Sequence, residues 1–210
     1  MAPTAAPSPL LVDLLERSRA LGFLGPGELE THIAHARSFL ALIPHGAAVV
    51  DLGSGGGLPG FVIADERPDV SIVLMDAMEK RIAFLRDCVR AAEWGERVGV
   101  ELGRAEVLAH RSDLRGRFDV VVVRSFGPPS ATAECGVGFL RAGGTILVSE
   151  PRDRRDRWPA QGLATLGLTP GALVESEHAA IQPLALTGAV SDRFPRKIGV
   201  PVKKPLFDTH

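Results

Sequence analysis

The stretch Val49-Val50-Asp51-Leu52-Gly53-Ser54-Gly55-Gly56-Gly57-Leu58-Pro59-Gly60 constrains the fold more than any other part of the chain. An apolar strand runs into it. Glycines at 53, 55 and 57 let the backbone turn tightly and approach a ligand, because no Cβ blocks it. A helix then opens near Leu58 with Pro59 in its first turn, where proline is tolerated. Such a strand-to-helix turn belongs at the ligand-binding edge of a doubly wound sheet. The surrounding pattern agrees. Apolar runs at 47–50, 71–75, 98–102, 119–123 and 145–149 alternate with amphipathic stretches, and Met78, Ile82, Leu85 and Val89 step by four, three and four, a helix face. Alternation of this kind predicts βαβ units around a mostly parallel sheet, an α/β fold. Helices are expected at 10–21, 28–43 and 131–140, and after Trp158. Residues 172–179 and 184–190 are expected to form a terminal antiparallel hairpin. The organisation is then an N-terminal helical segment over 1–44, an α/β domain over 45–192, and a basic tail over 193–210 that Pro195, Pro201 and Pro205 should hold extended.

Composition narrows the function. At 45% hydrophobic the 210-residue chain is not disordered as a whole. No apolar run approaches the roughly 18 residues of a membrane span. Cys88 and Cys135 are too few for a disulfide framework or a four-cysteine zinc site, and read as packing residues. His32 and His35 lie one helical turn apart with nothing to complete a ligand set, so no metal is expected. Met1–Pro9 lacks the basic-then-apolar layout of a secretory leader; a cytoplasmic monomer is the expectation. The net charge of -1 excludes a uniformly basic nucleic-acid binder. It also hides a local one. Arg193, Arg196, Lys197, Lys203 and Lys204 put five cations in a row with no acid between them, a segment suited to tracking a phosphate backbone. Arg152, Arg154, Arg155 and Arg157, interleaved with Asp153 and Asp156, fit a solvated face as well as an RNA contact.

Two ligands fit the glycine loop. Gly55-x-Gly57-x-x-Gly60 formally matches the dinucleotide fingerprint, with Asp76 about where its ribose-binding acid belongs. The other is S-adenosylmethionine, and Asp51 favours it. A carboxylate ahead of the first glycine can meet that ligand's cationic amino group, whereas it would repel a pyrophosphate. In either case Asp76 can accept hydrogen bonds from both ribose hydroxyls.

Gly53 to Gly60 followed by Phe61-Val62-Ile63-Ala64, then Leu74-Met75-Asp76, Lys80-Arg81-x-x-Phe84-Leu85, Gly103-Arg104-Ala105-Glu106, Arg124-Ser125-Phe126 and the tail from Arg193 to Leu206, resembles the bacterial RsmG (GidB) family over roughly residues 45 to 207. The resemblance implies a Rossmann-like class I methyltransferase fold with S-adenosyl-L-methionine as cofactor. It implies methyl transfer to N7 of a guanine in 16S ribosomal RNA, with that RNA or the small ribosomal subunit as partner. Carried over by position, Asp51, Gly53, Ser54, Gly55, Gly57 and Leu58 would frame the methionine part of the donor. Asp76 and Ala77 would hold the ribose, and the Ala105-Glu106 backbone the adenine. Arg124 would be both a donor contact and the catalytic arginine, while Arg193, Arg196, Lys197, Lys203 and Lys204 would face RNA. The chain departs from the family in three places. It lacks an Asn-Leu-Thr motif, blurs a His-x-x-Asp-Ser segment within residues 32–38, and carries Glu150-Pro151 where lysine and glycine are common. Those departures leave another RNA or a small molecule as alternative acceptor, and a non-catalytic binding module as a further reading. Guanine N7 has a free lone pair and no proton to lose, so no general base is needed. Gly127-Pro128-Pro129, without an Asn/Asp and aromatic partner, fits a ring-nitrogen target. An NAD-dependent oxidoreductase is disfavoured by Asp51 and by a chain without tyrosine.

Overall fold

A computed structural model describes residues 6–151 and 157–208. Two helices lead the chain, α1 (Pro9–Ala20) and α2 (Leu29–Arg37). The Ser8 hydroxyl starts α1: it accepts from the Leu11 N–H at 3.0 Å and donates to Asp65 at 2.9 Å, satisfying a helix-end donor and tying α1 to the domain behind it. The expected helix over 28–43 breaks at Ser38, where the backbone tightens into a 3-10 turn over Leu40–Leu42.

The alternating elements follow as β1 (Ala48–Leu52), α3 (Gly60–Glu66), β2 (Ser71–Asp76), α4 (Glu79–Ala91), β3 (Val98–Leu102), α5 (Ala105–Leu108), β4 (Phe118–Val123), α6 (Pro129–Val137) and β5 (Leu140–Glu150). Then come α7 (Ala160–Ala164), β6 (Leu168–Pro170), β7 (Val174–Glu175), β8 (Ala180–Leu186) and α8 (Val200–Lys203). The strands form one sheet in the order β3-β2-β1-β4-β5-β8-β6, with β7 also on β8. Strands β1 to β5 are parallel, and β8 runs antiparallel beside β5. The terminal antiparallel pairing holds, but the long strand is β8, with the short β6 and β7 both paired to it. The strand order reverses between β1 and β4, which opens a crevice at their carboxyl ends.

Side chains alternate across the sheet, so each face buries its own core. Val49, Ile72, Leu74, Val120 and Val122 pack with Leu14, Ile33, Phe61 and Leu85 from α1 to α4. Val50, Leu52, Met75, Val121 and Val123 pack on the other face with Leu108, Val137, Phe139 and Leu163. By the same alternation Asp51 shares the face of Val49 and is directed at α3.

The tail corrects the expectation of an extended strand. Phe194 is buried in the second core, the Leu206 N–H donates to Ser130 at 2.8 Å, and α8 packs against α6. Arg196, expected at RNA, is held instead by Glu134, a fully buried carboxylate. It donates through its backbone N–H, Nε and Nη2 at 2.8, 2.8 and 2.6 Å. A buried carboxylate needs a paired cation, and that demand folds the tail back onto α6. Arg193 stacks on the Phe194 ring at 4.6 Å, while Lys197, Lys203 and Lys204 are exposed.

Candidate active site

The crevice at the β1/β4 switch is walled by the glycine loop, the β2 carboxyl end, the turn before α5, and residues 124–128 after β4. It holds two cavities. The larger, about 390 Å³, is lined by Gly53, Asp76, Ala77, Ala105, Glu106 and Phe126, among others. A second, about 270 Å³, lies on the other side of the loop between Ser54, Gly55, Leu58, Arg124 and the α1–α2 turn at Phe23 to Gly25. Arg81 lines both.

Glycine is required at two loop positions for different reasons. At Gly53 (φ +76°) a Cβ would sit 2.8 Å from the Phe126 ring, so only glycine lets that ring close over the loop. At Gly57 (φ +98°) a Cβ would overlap the Phe61 ring, and Gly57 lines neither cavity. Gly57 is a packing glycine.

Asp76 is 7% exposed at the cavity wall. One oxygen accepts the Met78 N–H at 2.8 Å; the other accepts the Gly55 N–H at 3.0 Å and faces Arg81 Nη1 at 3.4 Å. The acid thus braces the glycine loop while presenting a carboxylate edge to the cavity. Ala105 and Glu106 also line the cavity, and the Glu106 carboxylate is taken up by structural partners. It accepts from Arg104 at 3.0 Å and from the Gly199 N–H at 3.0 Å. Burial pushes its carboxyl up, and the Arg104 guanidinium and Gly199 amide outweigh that and hold it below the usual range.

Asp51 differs from the expectation of direct ligand contact. It is 1% exposed, lines neither cavity, and accepts the Gly60 N–H at 2.9 Å, closing the first turn of α3. Its other oxygen has no hydrogen-bond partner among the described residues. Burial raises its pKa from 3.8 to about 7, against the Gly60 amide, the Ser54 hydroxyl and the Arg124 charge. Ser54 is likewise buried, donating to the Asp51 carbonyl at 2.9 Å and accepting the Met75 N–H at 3.0 Å.

Arg124 reaches from the end of β4 into the smaller cavity and donates to His32 Nδ1 at 2.8 Å. A guanidinium has no acceptor, so Nδ1 accepts and the ring proton sits on Nε2, which donates to the Gly25 carbonyl at 3.2 Å. Burial lowers the Arg124 pKa and the Asp51 charge opposes this; the group stays a cation. Sequence reasoning did not assign His32 this place, because the contact joins residues 92 apart and no local pattern announces it. The same holds for Ser18 on α1, whose buried hydroxyl donates to the Gly56 carbonyl at 2.8 Å and seats the N-terminal helices on the loop. Ser125, next to Arg124, is one of two non-glycine residues with positive φ (57°) among those described. That strain, of order 1–3 kcal/mol, sits where binding residues converge.

No group of three or more metal-ligating side chains occurs among the described residues. Cys88 and Cys135 are buried, as expected; burial pushes the Cys88 thiol up to about 11 and raises Cys135 further. Cys135 lines the larger cavity as a neutral thiol. No described helix is long and apolar enough to cross a membrane. Of the Arg/Asp cluster, 152–156 lie outside the described residues, and Arg157 forms a buried pair with Glu150 at 2.6 Å. Glu150 therefore does not present a free charge to the surface.

Comparison with known proteins agrees with this geometry. Among solved structures, an O-methyltransferase from Bacillus cereus, in complex with SAH, superposes with a TM-score of 0.61 at 15% identity, covering 88% of this chain and 93% of that one. A SAM-dependent methyltransferase from Aquifex aeolicus gives 0.54 at 15%, covering 81% and 97%. At such identities the likeness establishes the class I methyltransferase fold. Sequence relatives called ribosomal RNA small subunit methyltransferase G are nearer. The Acidothermus cellulolyticus protein is 38% identical over 160 residues, 73% of this chain and 68% of the relative. The Mycobacterium leprae (strain TN) protein is 40% identical over 141 residues, 65% and 56%. The matched region spans little more than half the length of several such relatives, 54% for that of Thermobifida fusca. The model of the family described as rRNA small subunit methyltransferase G matches residues 23–161, and the chain belongs to that family, GidB.

Proposed function

We propose that the chain is an S-adenosyl-L-methionine-dependent methyltransferase that methylates N7 of a guanine in 16S ribosomal RNA of the small subunit. The observation that carries the reading is the larger cavity. Its 390 Å³ bring Asp76, Gly53 of the glycine loop, Ala105 and Glu106 around one space. The residues fit the donor. Asp76 and Ala77 would hold its ribose, Ala105 and Glu106 its adenine, and Gly53 and Gly55 give its chain close backbone approach. Asp51, beneath the loop with an orphaned oxygen, would act through its charge on the amino end. Arg124 would meet the donor carboxylate from the smaller cavity.

When bound, the donor supplies an electrophilic methyl group that leaves a sulfonium by in-line displacement. The protein's work is alignment. No residue need remove a proton from a ring nitrogen, and the larger cavity offers a neutral thiol at Cys135 rather than a nucleophile. RNA contacts are assigned to Arg193, Lys197, Lys203 and Lys204, without Arg196.

Two measurements test the reading. Tritium transfer from the donor to small subunits lacking the modification should label one guanine, mapped by reverse transcription after cleavage at N7-methylguanosine. Donor affinity by calorimetry should fall at least about tenfold in Asp76→Ala, the loss of a charge-assisted bond pair. Unlabelled subunits together with unchanged affinity would refute it.

A further inference from the structure

A third cavity, about 320 Å³, opens on the far side of Phe126 from the donor cavity, at the carboxyl ends of β4 and β5. Ser125, Phe126 and Gly127 line both. Its volume is that of a small-ligand site. Its floor holds charge where charge is costly: the Glu150 side chain is 3% exposed and Arg157 16%. Arg157 donates to Glu150 Oε2 at 2.6 Å. Trp158 adds a buried indole N–H that faces this carboxylate, close enough to favour its charged form yet without a hydrogen-bond partner of its own among the described residues. Burial raises the Glu150 pKa and Arg157 opposes the rise.

Among the described residues that line it, one acid and one cation leave the cavity near neutral, which suits a base edge better than a phosphate. A carboxylate only accepts, so the edge facing Glu150 must present N–H groups; Arg157 and the Trp158 indole only donate, so a carbonyl suits them. Guanine alone among the four bases carries two adjacent N–H donors, N1–H and N2–H, beside a carbonyl, O6. Its N7 lies on the other side of the ring, toward the shared wall and the donor cavity. Phe126, between the cavities, offers an aromatic face of the kind on which splayed-out bases stack.

We propose that Glu150, with Arg157 and Trp158, forms the acceptor-base pocket and is the specificity-determining residue that reads the N1–H/N2–H edge of guanine. The inference rests on the methyltransferase reading, and the test separates the two. The full chain saturated with S-adenosylhomocysteine is titrated with guanosine, inosine and adenosine 5′-monophosphates, following tryptophan fluorescence. Trp158 lines the cavity, whereas Trp94 packs against Phe61 on the other face of the sheet. Inosine lacks only the 2-amino group. Guanosine monophosphate should bind about tenfold or more tighter than the inosine form, as expected for loss of one hydrogen bond to a charged acceptor. Adenosine monophosphate should bind more weakly still. In Glu150→Gln, which leaves Arg157 an oxygen to pair with, the guanosine/inosine ratio should fall toward one while S-adenosylhomocysteine affinity holds. Equal binding of the guanosine and inosine forms by the unaltered protein, no nucleotide binding, or an unchanged ratio in the variant would overturn the proposal and leave Glu150–Arg157 a structural pair. Failure to bind S-adenosylhomocysteine in calorimetry would instead refute the methyltransferase reading.

Discussion

Asp51→Asn separates the electrostatic role of the strand-end acid from its role as a helix cap. In the folded protein burial lifts the Asp51 pKa from 3.8 to about 7. Between those values the folded state keeps a proton that the unfolded chain has released, so stability falls as pH rises through the window and levels off above it. At 1.36 kcal/mol per pKa unit, the loss between pH 5 and pH 8 is about 2–3 kcal/mol. Asparagine does not titrate, and its carbonyl can still accept the Gly60 N–H. Its amide N–H groups would replace the unpartnered oxygen at a constant penalty of about 1–3 kcal/mol. Urea unfolding of both proteins at pH 5, 6, 7 and 8 gives a difference curve in which every shared titrating group cancels. The variant should gain about 2–3 kcal/mol relative to the natural protein across that range. Parallel profiles would refute the reasoning, because they would mean that Asp51 has the same pKa folded and unfolded. A cationic donor near this site would favour the charged carboxylate. Donor binding at pH 6.5 should therefore release protons, seen as a buffer-dependent heat that Asp51→Asn abolishes.

Arg196→Ala strands the fully buried Glu134 carboxylate and should destabilise the protein by about 3–5 kcal/mol in urea unfolding; a change under 1 kcal/mol would place the tail outside the cooperative fold. Gly56→Ala would drive a Cβ into the Ser18 hydroxyl and to 2.8 Å from the Phe23 carbonyl oxygen. It should cost about 1–3 kcal/mol and speed amide exchange in α1, and unaltered exchange would mean that the helices are not seated on the loop. Lys203→Ala with Lys204→Ala, both exposed, should leave the melting temperature alone and flatten the salt dependence of RNA binding by about 1.4 in log–log slope; an unchanged slope removes them from the interface.

The parts legible in the sequence are those set by local rules. Alternating strands and helices, the glycine turn after β1, and Asp76 at the end of β2 all follow from periodicity and backbone sterics, and each stands where expected. The misreadings have one cause. The basic run from Arg193 to Lys204 looks like a solvated strand because cations without neighbouring acids repel one another. Its acid lies 62 residues upstream: Glu134, buried on α6, takes Arg196 and folds the segment. Likewise Glu150 reads as a reversed surface charge until Arg157, seven residues on, pairs with it out of solvent.

Asp51 shows how far local rules extend when they are followed through. Its position at a strand end before glycines suggests an acid aimed at a ligand. Alternation alone says otherwise: Val49 faces the core with α3, so Asp51, two residues on, faces it too. From there the nearest unsatisfied donors are the first N–H groups of α3, and the carboxylate meets the one at Gly60. The acid that most strongly suggested the methyl donor thus sits one layer below the cavity. Its burial leaves it poised near pH 7, where a positive ligand above the loop can change its charge. Charge delivered through a buried, half-satisfied carboxylate depends on pH. Donor affinity measured from pH 6 to 8 should therefore rise with pH in the natural protein and lose its slope in Asp51→Asn.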